Sequence, residues 1–173
     1  MIITRPIDGL KDLLIVKNFI SKDESDVLIE GYEKLKTDEV AVFKSDVVLS
    51  DVKNKIKKIM EKEFPEINTK HYTYYDRVSC RTMESGDYSY MDPHVDGVPG
   101  VKQNNIRSVT CLLYLNSNFL GGELYYPELN FEYKPEACSA VFHLGEMPFV
   151  HGVRKVADGK RYHFGGNGFS HIF

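Results

Sequence analysis

The sequence has few of the features that mark secreted, membrane-spanning or nucleic-acid-binding proteins. Its 173 residues include only three cysteines, widely spaced and without a CxxC pair, which argues against a disulfide framework or a thiolate zinc site. No apolar run of 18 residues occurs, so no transmembrane helix is expected. The formal net charge of −3 gives no support to nucleic-acid binding by a basic surface. The first residues lack the apolar region of a signal peptide, and we expect a reduced, cytoplasmic protein.

The texture of the chain changes near residue 70. Before it, Ser21 and Glu24 have the spacing of a helix-starting capping box, and a second helix is predicted over about 49–63. After it, Tyr, Val, Thr and Phe become dense, and short strands alternate with turn signals such as "KPEA" and "ADGK". Strands are predicted over residues 13–20, 70–83, 108–116, 122–128, 131–136, 138–144, 149–156 and 161–169.

These elements predict one domain that is mainly β with N-terminal helices. The chain is long enough for a single sizeable core. Helical support is expected over about 1–69, and a β core over about 70–173. Many short strands at this spacing are typical of a sandwich, a barrel or a jelly roll.

The stretch "HVDG" places two potential metal ligands two residues apart. On a strand, residues i and i+2 point to the same face, so His94 and Asp96 would reach the same point. A site needs a third ligand, and among the other histidines His151 is followed ten residues later by Arg161. The intervening "ADG" predicts a turn between neighbouring antiparallel strands. An arginine beside a metal site suggests an anionic ligand such as a carboxylate.

Together these residues resemble the signature of the Fe(II)/2-oxoglutarate-dependent dioxygenases, in their prolyl 4-hydroxylase-like branch. The resemblance includes "SVTCLLYLN" followed by "GGELYYPE", then "YKPEACSAVFH", and the N-terminal "DLLIVKNFISKDESDVLIEGY". It covers roughly residues 12–169. It implies a double-stranded β-helix, the cupin-like jelly roll of two packed sheets, supported by N-terminal helices. It also implies Fe(II), 2-oxoglutarate and O2, with ascorbate as an optional additional reductant.

The resemblance assigns roles to individual residues. Fe(II) would be held by His94, Asp96 and His151, a 2-His-1-carboxylate triad that leaves positions open for the co-substrate and dioxygen. Arg161 would bind the far carboxylate of 2-oxoglutarate, and Tyr114 in "YLN" would hydrogen-bond the same carboxylate. For Tyr114, a purely structural role as a core aromatic residue fits the sequence equally well.

Three positions depart from the family's pattern. Met83 stands where the family often has a tyrosine, and we expect Tyr88 or Tyr90 to supply the missing phenol or to line the entrance. Cys138 or Ala137 replaces a small glycine, an exchange that is expected to be harmless. A late tryptophan is absent, and "HFGGNGF" in its place predicts a kinked or glycine-bulged last strand. Structural or surface roles are expected for the other four histidines, with a supporting role behind the ligands as the alternative for His143 and His163: His71, His143, His163 and His171. Solvated charges are expected at three arginines near the mouth, with contact to the substrate as the alternative: Arg77, Arg81 and Arg107.

These assignments predict an oxygenase that couples 2-oxoglutarate decarboxylation to hydroxylation of a C–H bond, first of all in a prolyl residue of a peptide or protein. The alternative is a non-catalytic, cupin-like metal- or carbohydrate-binding module, in which Arg161 would be dispensable. Halogenation is disfavoured because Asp96 stands where a halide would bind. We expect a peptide, protein or small-molecule substrate, no nucleic-acid or membrane partner, and a monomer or weak homo-oligomer. Specificity is expected in loops at 84–93, 97–107 and 116–120.

Overall fold

The computed structural model describes residues 1–96 and 107–170. Most of one predicted mouth loop, 97–106, and also His171 lie outside the described residues. The helices are α1 (Lys22–Glu33) and α2 (Glu39–Glu63). The strands are β1 (Ile2–Thr4), β2 (Leu13–Lys17), β3 (His71–Tyr74), β4 (Ser79–Thr82), β5 (Met91–His94), β6 (Ser108–Tyr114), β7 (Phe119–Gly121), β8 (Leu124–Tyr126), β9 (Phe131–Tyr133), β10 (Ser139–Leu144), β11 (His151–Val153) and β12 (Val156–Phe169).

The strands of the described residues form two antiparallel sheets. The large sheet has the order β1-β2-β10-β6-β12-β3, and β4 and β7 also pair with β12; the small sheet has the order β5-β11-β8-β9. Every residue of β6 and β10 is buried, so both faces of the large sheet are covered at its centre. The helices cover one face, where the Tyr32 ring of α1 meets that of Tyr162 edge-on. The small sheet covers the other, where Tyr126 of β8 packs edge-on against His143 of β10.

The two helices begin at side-chain caps. At α1 the predicted capping box is present: Ser21 Oγ accepts from Glu24 N, and Glu24 Oε2 accepts from Ser21 N. Helix α2 starts at Glu39, ten residues before the predicted start, because Asp38 caps two backbone N–H groups there. Valines in its first half weaken the helical signal of the sequence. The buried residues nevertheless recur every three or four positions along one helix face: Ala41, Ser45, Leu49, Val52, Ile56, Ile59 and Met60.

The predicted pairing between the strands of His151 and Arg161 is wrong. Strand β11, which carries His151, belongs to the small sheet and pairs with β5 and β8. Strand β12, which carries Arg161, belongs to the large sheet. The "ADG" segment lies within β12, where it pairs with β7 instead of forming a hairpin turn. The chain therefore crosses from one sheet to the other between the two strands, and the two residues face each other across the core.

The predicted kink or bulge in "HFGGNGF" is also wrong. Strand β12 pairs with β6 in unbroken register through this stretch. The glycines instead make room for aromatic rings. A Cβ on Gly166 would lie 2.4 Å from the Tyr74 ring, and one on Gly165 would lie 3.0 Å from the Tyr75 ring. The space that side chains at these two glycines would occupy is therefore filled by the rings of Tyr74 and Tyr75.

Cys138 stands where the family has a glycine, and this replacement strains the backbone, contrary to the expectation that it is harmless. Cys138 has a φ of 60°, in the left-handed region that favours glycine. A side chain held there costs about 1–3 kcal/mol. The strained residue directly precedes β10, and its own carbonyl accepts a hydrogen bond of 2.8 Å from Phe19 N.

Candidate metal centre and co-substrate pocket

The small sheet brings the three predicted ligands together. His94 ends β5 and lies directly opposite His151 of β11 in the strand register. Asp96 follows β5, with Oδ1 3.3 Å from His94 Nε2 and Oδ2 3.5 Å from His151 Nε2. One ligand atom from each of the three residues lies within 4.8 Å of the others. Side-chain exposure rises from 3% at His151 through 20% at Asp96 to 35% at His94, so the cluster opens towards solvent on the His94 side.

Hydrogen bonds orient both imidazoles towards the cluster. His94 Nδ1 donates to the carbonyl of Asp92 at 2.8 Å, and His151 Nδ1 donates to the carbonyl of Phe149 at 3.1 Å. A carbonyl oxygen only accepts, so these contacts place the proton on Nδ1 and leave the Nε2 lone pair free. Backbone partners of this kind are typical of histidines that ligate metals.

The charge states also suit a divalent cation. Burial by itself raises the pKa of Asp96, but contact with the neighbouring imidazoles outweighs burial and lowers that pKa well below its usual value, so the group is a carboxylate. Burial lowers the pKa of His151, which therefore stays neutral. Contact with Asp96 raises the pKa of His94. Two imidazoles and one carboxylate on one side of a cavity fit the 2-His-1-carboxylate site of Fe(II) oxygenases.

Opposite this cluster, the large sheet supplies a buried cation. Arg161 is only 1% exposed, and its Nε and Nη1 have no hydrogen-bond partner among the described residues. Its guanidinium carbon lies 4.9 Å from the centroid of the Tyr114 ring, and the Tyr114 hydroxyl is likewise buried without a partner in the described part of the chain. Burial raises the pKa of Tyr114 to about 12, so the hydroxyl remains a donor. These orphaned donors fit a carboxylate acceptor, because buried polar groups without partners are costly.

The turn "GG" before β8 is shaped around this arginine. Gly122 has a φ of 71°, and a Cβ there would lie 2.8 Å from Arg161 Cδ and 3.1 Å from the Phe119 ring. Glycine is therefore required both by the backbone conformation and by the close approach of the arginine. The motif thus holds the stem of Arg161 in place.

The cluster and Arg161 line one pocket. Three further polar liners are Tyr75, Arg81 and His163. His163 was predicted to be structural or supporting, and it lies on the same face of β12 as Arg161. Tyr75 had no sequence signal, because it lies just beyond the end of β3. Arg81 was predicted to be a solvated charge, with contact to the substrate as the alternative, and its position in the pocket favours the alternative.

The expected substitutes for the family tyrosine do not line the pocket. Met83, at the family position, is 55% exposed, and the side chains of Tyr88 and Tyr90 also point outwards. Their backbone carbonyls bind Arg81 instead. The phenol that does line the pocket belongs to Tyr75, whose ring packs edge-on against His163.

The other predicted residues lie away from the pocket. His143 is fully buried behind His151, with ring centroids 4.5 Å apart, and burial lowers its pKa to about 3. It therefore supports the ligand as a neutral packing partner. Arg107 pairs with Glu146 at the surface, and Arg77 is exposed.

Comparison with known proteins places this site in a family. Residues 78–168, more than half of the chain, match the 2OG-Fe(II) oxygenase superfamily. Human prolyl 3-hydroxylase 1 is 30% identical over 132 residues, which cover 64% of this chain and 18% of the relative. Human prolyl 3-hydroxylase 2 is 29% identical over 142 residues, covering 69% and 20%. The chain thus matches only about a fifth of the length of these relatives.

Solved structures share the fold at low sequence identity. A viral collagen prolyl hydroxylase from Paramecium Bursaria Chlorella virus-1 superposes with a TM-score of 0.64 at 17% identity, covering 98% of this chain and 100% of that chain. A prolyl hydroxylase from Trichoplax adhaerens, in complex with a hypoxia inducible factor oxygen degradation domain peptide fragment, gives 0.69 at 18% identity, covering 94% and 85%. The predicted fold class, mainly β with N-terminal helices and a jelly-roll core, is confirmed.

The chain belongs to the 2OG-Fe(II) oxygenase superfamily. The predicted resemblance to prolyl 4-hydroxylase-like oxygenases is therefore confirmed. Membership implies Fe(II), 2-oxoglutarate and O2 as the reaction components. In the ranges that the structure covers, no helix is both long and apolar enough to cross a membrane.

Proposed function

We propose that this protein is an Fe(II)- and 2-oxoglutarate-dependent dioxygenase that hydroxylates a C–H bond, with a prolyl residue as the first candidate. The observation that supports the proposal is that one pocket holds two kinds of binding group at opposite ends. His94, Asp96 and His151 converge at one end, and buried Arg161 lies at the other. A dicarboxylate that chelates a metal through one end needs a cation at the other end.

The three ligands would hold Fe(II) through His94 Nε2, His151 Nε2 and a carboxylate oxygen of Asp96. When bound, the metal supplies oxygen activation: 2-oxoglutarate loses CO2 and becomes succinate, one oxygen atom of O2 enters succinate, and the other forms the new hydroxyl group. The protein's own part is to fix the ligand geometry, through the backbone hydrogen bonds of the imidazoles and the cross-strand pairing of β5 with β11.

Arg161 and Tyr114 would bind the far carboxylate of 2-oxoglutarate. Both side chains are buried, so water does not compete for their N–H and O–H groups. The Arg161 stem passes close to the backbone at Gly122. A preorganised pair of buried donors would orient the co-substrate, so that its keto-acid end reaches the metal.

A prolyl substrate is supported by the printed activities of the relatives, which are prolyl 3-hydroxylases and prolyl hydroxylases. Because the chain matches about a fifth of the prolyl 3-hydroxylases, their substrates come to it only as a proposal. We further propose one domain, with residues 1–69 supporting a jelly-roll core over 70–173. We also propose that the protein is cytoplasmic and that it is a monomer or a weak homo-oligomer. Ascorbate would be an optional reductant, and no nucleic-acid partner is expected.

The test is anaerobic reconstitution with Fe(II) and 2-oxoglutarate, followed by their charge-transfer absorption. After oxygen is admitted, succinate release is measured with proline-containing peptides and free amino acids, above the uncoupled background. We expect the absorption band in the wild-type protein and substrate-stimulated succinate release. Asp96→Ala is the matched inactive control, because it removes the only anionic ligand.

The alternative, a non-catalytic metal- or carbohydrate-binding module, predicts a different outcome. Such a module would bind metal without forming the charge-transfer band, and Arg161 would be dispensable. Absence of the band at saturating Fe(II) and 2-oxoglutarate would therefore contradict the oxygenase proposal.

A further inference from the structure

The pocket contains a second arginine that the co-substrate does not require. Arg81 of β4 lies directly opposite Arg161 of β12 in the strand register. Opposed residues of an antiparallel pair share a face, and both arginines line the pocket. Like charges placed in this way destabilise a sheet unless an anion separates them. Among the described residues that line the pocket, Asp96 is the only carboxylate, and it faces the histidines.

The guanidinium of Arg81 is held in place without being neutralised. Its Nη1 donates to the carbonyls of Tyr88 and Tyr90, at 2.6 Å and 3.1 Å. Its Nε is buried and has no hydrogen-bond partner in the described ranges. Burial, and after it the charge of Arg161, lowers the pKa of Arg81, which agrees with an uncompensated cation. An arginine nevertheless stays protonated, so the pocket keeps its charge.

The summed charge of the pocket with Fe(II) and 2-oxoglutarate bound shows that an anion is lacking beside Arg81. Fe(II), dianionic 2-oxoglutarate, Asp96 and Arg161 together carry no net charge. Arg81 then adds one positive charge in a partly desolvated cavity, where an unpaired charge is costly. Arg161 is almost fully buried, whereas Arg81 is only partly buried. Arg81 therefore lies nearer the mouth, on the side from which a substrate enters.

We propose that Arg81 binds a carboxylate of the substrate itself. This inference rests on the proposed hydroxylase function. It narrows the substrate to a free amino acid or to the C-terminal residue of a peptide, and it disfavours a residue within a chain. The planar fork of an arginine fits a carboxylate, and the two carbonyl contacts preorient it. The hydroxyl of Tyr75, beside Arg81 in the pocket, offers a further donor.

Paired acids and amides test this proposal directly. The anaerobic complex with Fe(II) and 2-oxoglutarate is titrated with N-acetyl-L-proline and its amide, with free L-proline, with a glycyl-L-proline dipeptide, and with N-acetyl-L-leucine and its amide. Binding is measured from the change in the charge-transfer band. Succinate release is then measured with the same probes and with a capped peptide that has an internal proline. The proteins are wild type, Arg81→Gln and, as a matched control, Arg77→Gln, which removes an exposed charge outside the pocket.

We expect wild type and Arg77→Gln to bind acids about tenfold to a hundredfold more tightly than the matching amides, the range of a charge-assisted hydrogen bond. Arg81→Gln should bind acid and amide equally, with unchanged 2-oxoglutarate affinity. Selectivity for the free amino acid or for the dipeptide then identifies the source of the carboxylate. Acid selectivity that is confined to the leucine pair supports the role of Arg81 and removes the prolyl part of the proposed function.

Three results would overturn the proposal. Equal binding of acids and amides by the wild type, or binding of none of the acids, rules out the carboxylate site even if the capped peptide is hydroxylated. A loss of 2-oxoglutarate affinity in Arg81→Gln assigns this arginine to the co-substrate. A wild type that fails to bind 2-oxoglutarate contradicts the proposed function itself, and the charge-transfer band reports that failure separately.

Discussion

Replacing Arg161 by methionine is expected to stabilise the unliganded protein while weakening 2-oxoglutarate binding. The guanidinium is buried, has two nitrogens without partners among the described residues, and lies opposite Arg81. An unsatisfied buried group costs about 1–3 kcal/mol. Methionine keeps the length of the stem and removes the charge. It also removes the contact with the Tyr114 ring, an offset of about 0.5–2 kcal/mol.

The cost of about 1–3 kcal/mol, less the ring contact of about 0.5–2 kcal/mol, leaves a net gain of about 1 kcal/mol for the unliganded protein at the middle of both ranges. For a chain of this size this gain corresponds to a rise in Tm of about 2–4 °C. Binding changes in the opposite direction, because the carboxylate loses its charge-assisted partners. Affinity for 2-oxoglutarate should fall by about tenfold to several hundredfold. Arg161→Lys should recover part of this loss, since it restores the charge without the bidentate fork.

The assay combines thermal unfolding of the metal-free protein with an anaerobic 2-oxoglutarate titration of the Fe(II) form. Iron content serves as the control, because Arg161 does not touch the ligands. A methionine variant that binds 2-oxoglutarate as tightly as wild type would refute the assignment, and Arg81, the other arginine that lines the pocket, would be tested next. A lowered Tm in that variant would refute the claim that the unliganded arginine is a net cost.

Three other predictions concern the metal and the scaffold. His94→Ala and His151→Ala should each lose iron in metal analysis while keeping the wild-type circular dichroism spectrum; full iron occupancy in both would contradict the triad. Gly166→Ala should lower stability by about 1–3 kcal/mol in denaturant unfolding, because its Cβ would meet the Tyr74 ring at 2.4 Å, and an unchanged midpoint would show that the ring yields freely. Ser21→Ala should cost about 1 kcal/mol through loss of the α1 cap, and an unchanged Tm would mean that solvent replaces it.

The sequence was most informative where chemistry follows from local spacing. The period of a strand is enough to place His94 and Asp96 on one side, and the capping-box spacing is enough to locate the start of α1. The identity of His151 as the third member needed the family resemblance. The metal role of the three residues stays a prediction, which the structure supports by their proximity.

The sequence was least informative where pairing is non-local. The segment "ADG" looks the same in a hairpin and in a strand that crosses between sheets, so the partner of β12 could not be read from it. Arg81 resembles any solvated strand charge until the register of β4 on β12 is known. The start of α2 was missed because β-branched valines obscure a helix that tertiary packing and the cap at Asp38 stabilise.

The metal ligands and the arginine belong to different sheets, and this has a consequence for the choice of co-substrate. His94 and His151 lie in the small sheet and Asp96 just after it, whereas Arg161 lies in the large sheet. Packed sheets lie about 10 Å apart, a distance set by the side chains of the hydrophobic core. The spacing of the two sheets therefore fixes the length of dicarboxylate that can reach both the metal ligands and Arg161. A four-carbon keto acid should be too short to bind both. Core substitutions that thin or widen the sandwich should thus change which keto acid is accepted, without altering any residue that touches it.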